Sequence, residues 1–383
     1  MNINKGLIMS GMMAAMFSLP CLAQTKDGGI SADMLKEIQQ SQKLSSADKA
    51  LFNAVASNSI DNLAKNHANR GAIDTYFSVE TKAQSITDQK QSGRCWMFSG
   101  FNVLRSNLFL QGVIDCASKP MDDVRVQFFF KNPINDGGTF CGVSDLVDKY
   151  GLVPADVMPE TFSAENTSKA TALIKSKLRE FGLKLRDMAN GGKSAKEIKA
   201  EKTKMLSEIY RMLTLTLGEP VKEFTYAFKN KDGRTVTEAK KYTPKSFAAE
   251  ILGGKTIGGS FIMVMNDPRR EYYKTYEVEY DRHTYDGTNW KYLNLPMEDI
   301  AKLAIASLKD GHKMYSSYDV GKFLDSKRGY CDTRNYDYGS LFGTTFGMNK
   351  AQRIMTYDSG STHAMTLTAV DLDAKGNPTK WKV

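Results

Sequence analysis

The sequence predicts an α+β fold, and two observations carry that expectation. Before about Lys245, apolar residues recur mostly at helical spacing; after Phe261 they alternate or run in short β-branched and aromatic stretches. The composition also suits a large core, with 383 residues, 41% apolar and 25% charged. Those values exclude a disordered chain, a collagen-like repeat and a disulfide-dense miniature scaffold. The length fits two domains, or one large domain carrying an insertion.

The elements follow in order. Met1–Lys5 carries a positive start, Gly6–Pro20 is apolar apart from Ser10 and Ser18, and Cys21-Leu22-Ala23 offers small residues at −3 and −1 of a cleavage point. This pattern predicts a signal peptide over 1–23, because the apolar run is too short to span a bilayer. The protein is therefore expected to be exported, to a periplasmic or extracellular space. A buried N-terminal helix is the alternative. In the N-terminal region 24–88, Ser31–Ala68 has helical spacing and Gly71–Ser85 looks extended. The region 89–168 opens with a polar loop, Gln89–Arg94. It continues with a helix over Cys95–Leu110, a loop over Asn132–Gly142 containing Gly137-Gly138, and a short helix over Val143–Tyr150 that stops at Gly151.

The region 169–245 is expected to be an inserted helical hairpin. Ile174, Leu178, Phe181 and Leu185 keep one helical face, and Ile198, Met205, Ile209 and Met212 continue it after Gly191-Gly192. This segment holds 19 basic and 9 acidic residues, against a net charge of +9 for the whole chain. Its charge fits a nucleic-acid face, an exposed arm for self-association, or simply the solvated side of an amphipathic hairpin. In 246–383, strands are expected over Phe261–Met265, Tyr273–Tyr280, Met365–Val370 and from Lys380. Asn294–Leu308 is expected to be a helix and Asp371–Pro378 a polar turn.

Several cofactor signatures fail. Gly253-Gly254-Lys255-Thr256 lacks the earlier glycine of a phosphate loop, since Ala249 stands there. In Asp371–Gly376, Lys375 puts a cation where a calcium ligand belongs. The five cysteines show no C-x-x-C pair and the four histidines no H-E-x-x-H, so neither a structural zinc site nor any other cofactor is expected.

The stretch that carries chemistry is Gln89-Lys90-Gln91-Ser92-Gly93-Arg94-Cys95-Trp96. A cysteine stands where a polar loop becomes an apolar helix. The helix N-terminus carries roughly half a positive charge, which favours thiolate over thiol. Arg94 adds to that charge. A thiolate is the nucleophile, and it needs oxyanion donors and a base. Gln89 can loop back so that its amide and the Cys95 backbone N–H converge on a developing oxyanion. Ser361-Thr362-His363-Ala364-Met365 places a histidine at the start of a strand among small residues. His67, His283 and His312 sit in polar or charged contexts without that flanking. A cysteine and a distant histidine are, alone, more often inert.

Gln89…Gly93-Arg94-Cys95-Trp96 and Thr362-His363-Ala364-Met365 resemble the active site of papain-like cysteine peptidases, in the bleomycin hydrolase (aminopeptidase C) branch. The resemblance continues in Asn135-Asp136-Gly137-Gly138, Lys149-Tyr150-Gly151-Leu152-Val153-Pro154, Met158-Pro159-Glu160 and Asn266-Asp267-Pro268, and covers most of the chain after about Gly71. It implies a helical domain and a β-barrel-like domain with a cleft between them. Cys95 would be the nucleophile, His363 the base, Gln89 an oxyanion donor, and Gly137 and Gly138 the substrate-binding wall. Trp96 would pack behind the nucleophile. It further implies a peptide substrate, aminopeptidase action and assembly into a hexamer through the hairpin. Two departures stand out. The branch's catalytic Asn, expected after the strand that begins at Trp381, and its C-terminal tail fall beyond Val383, so the fold is expected to be C-terminally truncated. The interval between the Cys95 helix and Asp136 is also short, with a break near Asn107–Leu108. The rival expectation is a catalytically dead relative acting as a basic binding or assembly protein. A signal peptide argues against nucleic acid as its main partner.

Overall fold

Among the described residues, which are 28–41, 44–69, 74–82, 90, 102–134, 137–230 and 232–383, the computed structural model holds thirteen α-helices and twelve short strands. They fall into two compact units: residues up to 68 together with 336–344, and residues 69–335 together with 345–383. The helices from 102 to 251 and nearly all of the strand-rich stretch belong to the second unit. The expected signal peptide lies outside the described residues.

In the first unit, α1 (Ala32–Ser41), α2 (Ser46–Ser57) and α3 (Ile60–Ala64) form where 31–68 has helical spacing. Ser45 caps α2 in a reciprocal box with Asp48, and Ser59 caps α3 by accepting from Asn62 N. A later helix, α12 (Tyr338–Phe342), joins them: Tyr338 Oη donates to Asp61 at 2.8 Å, and Asp337 N donates to the Ala64 carbonyl at 2.7 Å.

The second unit is centred on α4 (Asn102–Asp115), which is flanked by α5 (Val124–Lys131), α6 (Phe140–Tyr150) and α7 (Phe162–Glu165). The expected hairpin is α8 (Ser168–Asn190) and α9 (Ala195–Leu217). It turns through Gly192, whose φ of 76° suits glycine, and starts α9 with a Ser194–Glu197 capping box. It does not stand free as an exposed arm. Its stripe of Ile174, Leu178, Leu185, Met205 and Ile209 is fully buried together with Phe109, Leu110 and Val113 of α4. Spacing every three or four residues gives one continuous apolar face, and that face needs a partner. Gly182 lets α8 approach closely, since a Cβ there would lie 2.9 Å from the Phe109 ring. The charged side carries ion pairs such as Lys184–Glu201 at 2.6 Å and Lys177–Glu180 at 2.7 Å. The last third of 169–245 is not helical. It forms an antiparallel pair, β2 (Phe224–Tyr226) and β3 (Lys240–Tyr242). At Asn107–Leu108, where a helical segment of the family was expected to be missing, the chain lies within the single helix α4.

The strand-rich part holds less strand than its pattern suggests. Helices α10 (Pro244–Ile251), α11 (Met297–Lys309) and α13 (Lys350–Met355) alternate with strands of two to five residues. In one sheet β6 (Lys291–Asn294) lies between β4 (Val264–Met265) and β5 (Lys274–Glu277). In another β11 (Ala369–Leu372) lies between β1 (Val79–Glu80) and β12 (Pro378–Lys382). Two further pairs are β7 (Met314–Tyr318) with β10 (His363–Leu367), and β8 (Leu324–Asp325) with β9 (Tyr330–Cys331). Among the described residues these sheets do not close into a barrel, which corrects the barrel-like expectation: strands this short cannot supply a continuous staggered ladder. Helix α11 covers the strands with Ala304 and Leu308, packed in one cluster with Leu367 and Val370. Asp371–Pro378 is the expected turn, with Asp373 accepting from Asn377 N at 2.8 Å and Gly376 at a φ of 84°. No helix among the described residues is long and apolar enough to cross a membrane.

Candidate active site

His363 is the first residue of β10, paired with Tyr318 at the end of β7, and it is half-buried. Its backbone is held from several directions. Thr362 N donates to the Tyr318 carbonyl at 2.8 Å, the Thr362 hydroxyl accepts from Val320 N at 3.0 Å, and the Ser317 hydroxyl donates to the His363 carbonyl at 3.2 Å. Ser361 and Ser317 also share a hydrogen bond. The small polar residues around the histidine thus lock the strand start, and a side chain on a locked backbone keeps its direction.

Gly137 and Gly138 are half-buried and precede Thr139, the N-cap of α6. The Gly137 carbonyl accepts from the Arg105 guanidinium at 2.6 Å. Arg105 comes from α4 and is only 6% exposed. The same Arg105 nitrogen meets His283 Nδ1 at 2.5 Å, while Thr139 N donates to His283 Nε2 at 3.3 Å. Both contacts present a donor to the ring, and a neutral imidazole has one acceptor nitrogen, so it accepts from Arg105 or from Thr139 N at any one time. Burial, and then the Arg105 charge, push the His283 pKa down to about 3, so the ring is neutral at ordinary pH. Beside it, burial raises the Asp281 carboxyl above its ordinary value. Burial also pushes the Cys141 thiol up to about 11, with Sγ 3.0 Å from the Thr139 hydroxyl. Cys141 is therefore a protonated thiol at neutral pH. Cys116 and Cys331 are free thiols as well, both raised by burial.

Phe140, the first residue of α6, packs its ring 5.3 Å from Tyr315 of β7 and 5.4 Å from Phe261. That contact links the helix after the glycine pair to the β7–β10 ribbon that carries His363. Gln89, Arg94, Cys95, Trp96, Asn135 and Asp136 lie outside the described residues; α4 begins downstream of Cys95, at Asn102. Among the described residues no group of three or more His, Cys, Asp or Glu side chains is gathered to hold a metal ion. Sequence reasoning missed Arg105 and His283. The one signal was Gly142, an interior helix glycine: a Cβ there would sit 1.7 Å from the His283 ring.

The Peptidase C1-like family matches residues 29–108 and 103–383, two segments that meet within α4 where the shortened interval was expected. The chain is similar to aminopeptidase C of Lactobacillus delbrueckii subsp. lactis, with 35% identity over 92% of this chain and 84% of the relative. It is similar to human bleomycin hydrolase, with 34% identity over 80% of this chain and 74% of the relative. Its fold is similar to the crystal structure of PepW from Lactobacillus rhamnosis, with a TM-score of 0.85 and 33% identity over 93% of this chain and 85% of that one. A strand-borne histidine, a glycine pair ahead of a helix and a match over nearly the whole length lead to one assignment: the chain belongs to the Peptidase C1-like family and is a cysteine-type peptidase.

Proposed function

We propose that the protein is an aminopeptidase that cleaves peptide bonds through a thioester acyl-enzyme, with Cys95 as nucleophile and His363 as its base. The observation that carries the reading is His363: a half-buried histidine on a backbone fixed by Ser317 and Thr362, in a chain of this family. The Cys95 thiolate attacks the scissile carbonyl carbon, forming a C–S bond. Gln89 and the Cys95 backbone N–H stabilise the oxyanion. Protonated His363 gives its proton to the departing amine as the C–N bond breaks, then takes a proton from the water that hydrolyses the thioester. Gly137 and Gly138 receive the substrate backbone. The names of the relatives, aminopeptidase C among them, support preference for a free N-terminus.

The test is hydrolysis of an aminoacyl reporter beside its N-blocked counterpart. Cys95→Ala abolishes turnover, His363→Ala nearly so, and Gln89→Ala lowers it by roughly 10²-fold through loss of one oxyanion donor. Turnover retained in Cys95→Ala would sink the mechanism, and equal rates on both reporters would sink the aminopeptidase reading.

Export and self-association form part of the same proposal. Cleavage after Ala23 is tested by N-terminal sequencing of the exported protein, expected to begin at Gln24. Assembly through the hairpin is supported by its exposed apolar side chains, Leu183 and Leu215. Because the hairpin also fills the core, the test is substitution rather than deletion: L183E with L215E lowers the mass in light scattering, and unchanged mass would count against the hairpin as interface.

A further inference from the structure

We propose that Arg105 and His283 are positioning residues that hold the Gly137–Gly138 wall in the conformation that receives the substrate backbone. The proposal rests on the reading of those glycines as the substrate-facing wall. Two successive glycines have the widest backbone freedom of any pair, so a wall built from them needs restraint from outside itself. Here the restraint is a relay across distant parts of the sequence. The Gly137 carbonyl accepts from Arg105 at 2.6 Å, 32 residues away in sequence. Arg105 is held in turn by His283 Nδ1 at 2.5 Å, 178 residues away. The His283 ring lies against α6 where any side chain at position 142 would collide with it.

The relay also acts electronically. The Gly137 carbonyl and the Gly138 N–H belong to one peptide group. A charged donor on the carbonyl polarises that group and strengthens the N–H as a donor toward a bound substrate. Both relay side chains are buried, at 6% and 8% exposure, so neither is expected to touch substrate. Their effect passes through the glycines. Burying a guanidinium costs more than an apolar side chain of equal size, and a hydrophobic residue at position 105 would stabilise α4 without fixing Gly137.

The experiment compares two thiol reagents on the full chain. Iodoacetamide needs only a reactive thiolate at Cys95, whereas a peptidyl epoxide must also lie along the wall. In His283→Ala the second-order rate constant for the peptidyl epoxide falls about tenfold while that for iodoacetamide stays within about twofold. His283→Asn keeps an acceptor near the Nδ1 position and recovers to within about threefold of the wild type. Arg105→Lys keeps the charge but not the fork, and loses reactivity toward the peptidyl reagent alone. The proposal is overturned if both reagents slow together, if the peptidyl rate is unchanged in a variant that keeps its melting temperature, or if Asn at position 283 does no better than Ala. If His283→Ala does not fold, Arg105→Lys decides by the same criteria. A wild type in which Cys95 reacts with neither reagent defeats the active-site reading instead, which separates the two failures.

Discussion

Two buried regions of the second unit are built in opposite ways. Where α8 and α9 meet α4, the contact is mostly apolar: Leu110, Leu178, Leu185 and Ile209 have no measurable exposure and meet through packing, and the buried Arg186 is confined to its end, donating to the Cys116 carbonyl at 2.8 Å. Around Gly137 and Gly138 the buried groups are Arg105 and His283, with Asp281 and Cys141 half-buried beside them, and three of these four have displaced pKa values. The first region stabilises by area removed from water, which depends on volume and not on direction. The second depends on direction, because each polar group is acceptable only with its partner in place. Regularity marks the part of the molecule that holds it together, and polar irregularity marks the part proposed to position the substrate.

The difference can be broken or sharpened by substitution. The largest effect is expected in the apolar region. Leu178→Ala destabilises the protein by about 3 kcal/mol, measured by denaturant unfolding, and leaves the kinetic constants of the folded fraction unchanged. Next comes Gly142→Ala, which pushes a methyl group into the His283 ring. It costs about 2 kcal/mol in the same assay and, unlike Leu178→Ala, also slows the peptidyl reagent. Loss of activity in Leu178→Ala beyond its unfolded fraction would erase the distinction between the regions.

The polar region also sets a pH window. The folded pKa of His283 is depressed from 6.5 to about 3, so the unfolded chain takes up the proton first. Its contribution is present above about 6.5 and is lost as pH falls toward 3, at up to about 1.4 kcal/mol per unit for a single group. Asp281, raised by burial, opposes this, because its contribution is present at acid pH and lost as pH rises through its folded value. Cys141 is raised from 9.0 to about 11, so its contribution is present below 9 and lost as pH rises toward 11. Unfolding followed from pH 6.5 to 5.5 is expected to show destabilisation on the order of 1 kcal/mol, flattened in His283→Asn. An unchanged slope in that variant would remove His283 from the window. The smallest effect is Lys184→Ala, which breaks an exposed pair with Glu201. It costs less than about 1 kcal/mol, and less still in high salt.

The same difference decides what was legible in the sequence. Ile174, Leu178, Phe181 and Leu185 announce their helix because the buried face repeats within one segment. The strand that begins at His363 was legible for a related reason, since small residues on both sides and the β pattern that follows are local features. The tie from Gly137 to Arg105 to His283 was not, because it joins three segments and no periodicity encodes it. The context Asp281-Arg282-His283 reads as a solvated surface, whereas the fold buries the histidine against Gly142. The barrel-like expectation failed for a different cause. A run such as Tyr273–Tyr280 has the β pattern throughout, yet only Lys274–Glu277 finds a partner strand, and Tyr280 turns to a φ of 62° with its ring against Phe128 and Phe129. Propensity describes a segment; pairing depends on the neighbour.

The central claim is that one cysteine of five does the chemistry, and mapping a covalent adduct tests it most directly. The protein is treated with a peptidyl epoxide at neutral pH, digested and analysed by mass spectrometry. The expected result is a single adduct on Cys95, strongly slowed in His363→Ala, with Cys116, Cys141 and the exposed Cys331 unmodified because all three thiols are raised above the ordinary value. An adduct on any of those three in place of Cys95, or an adduct on Cys95 that forms equally fast without His363, would contradict it.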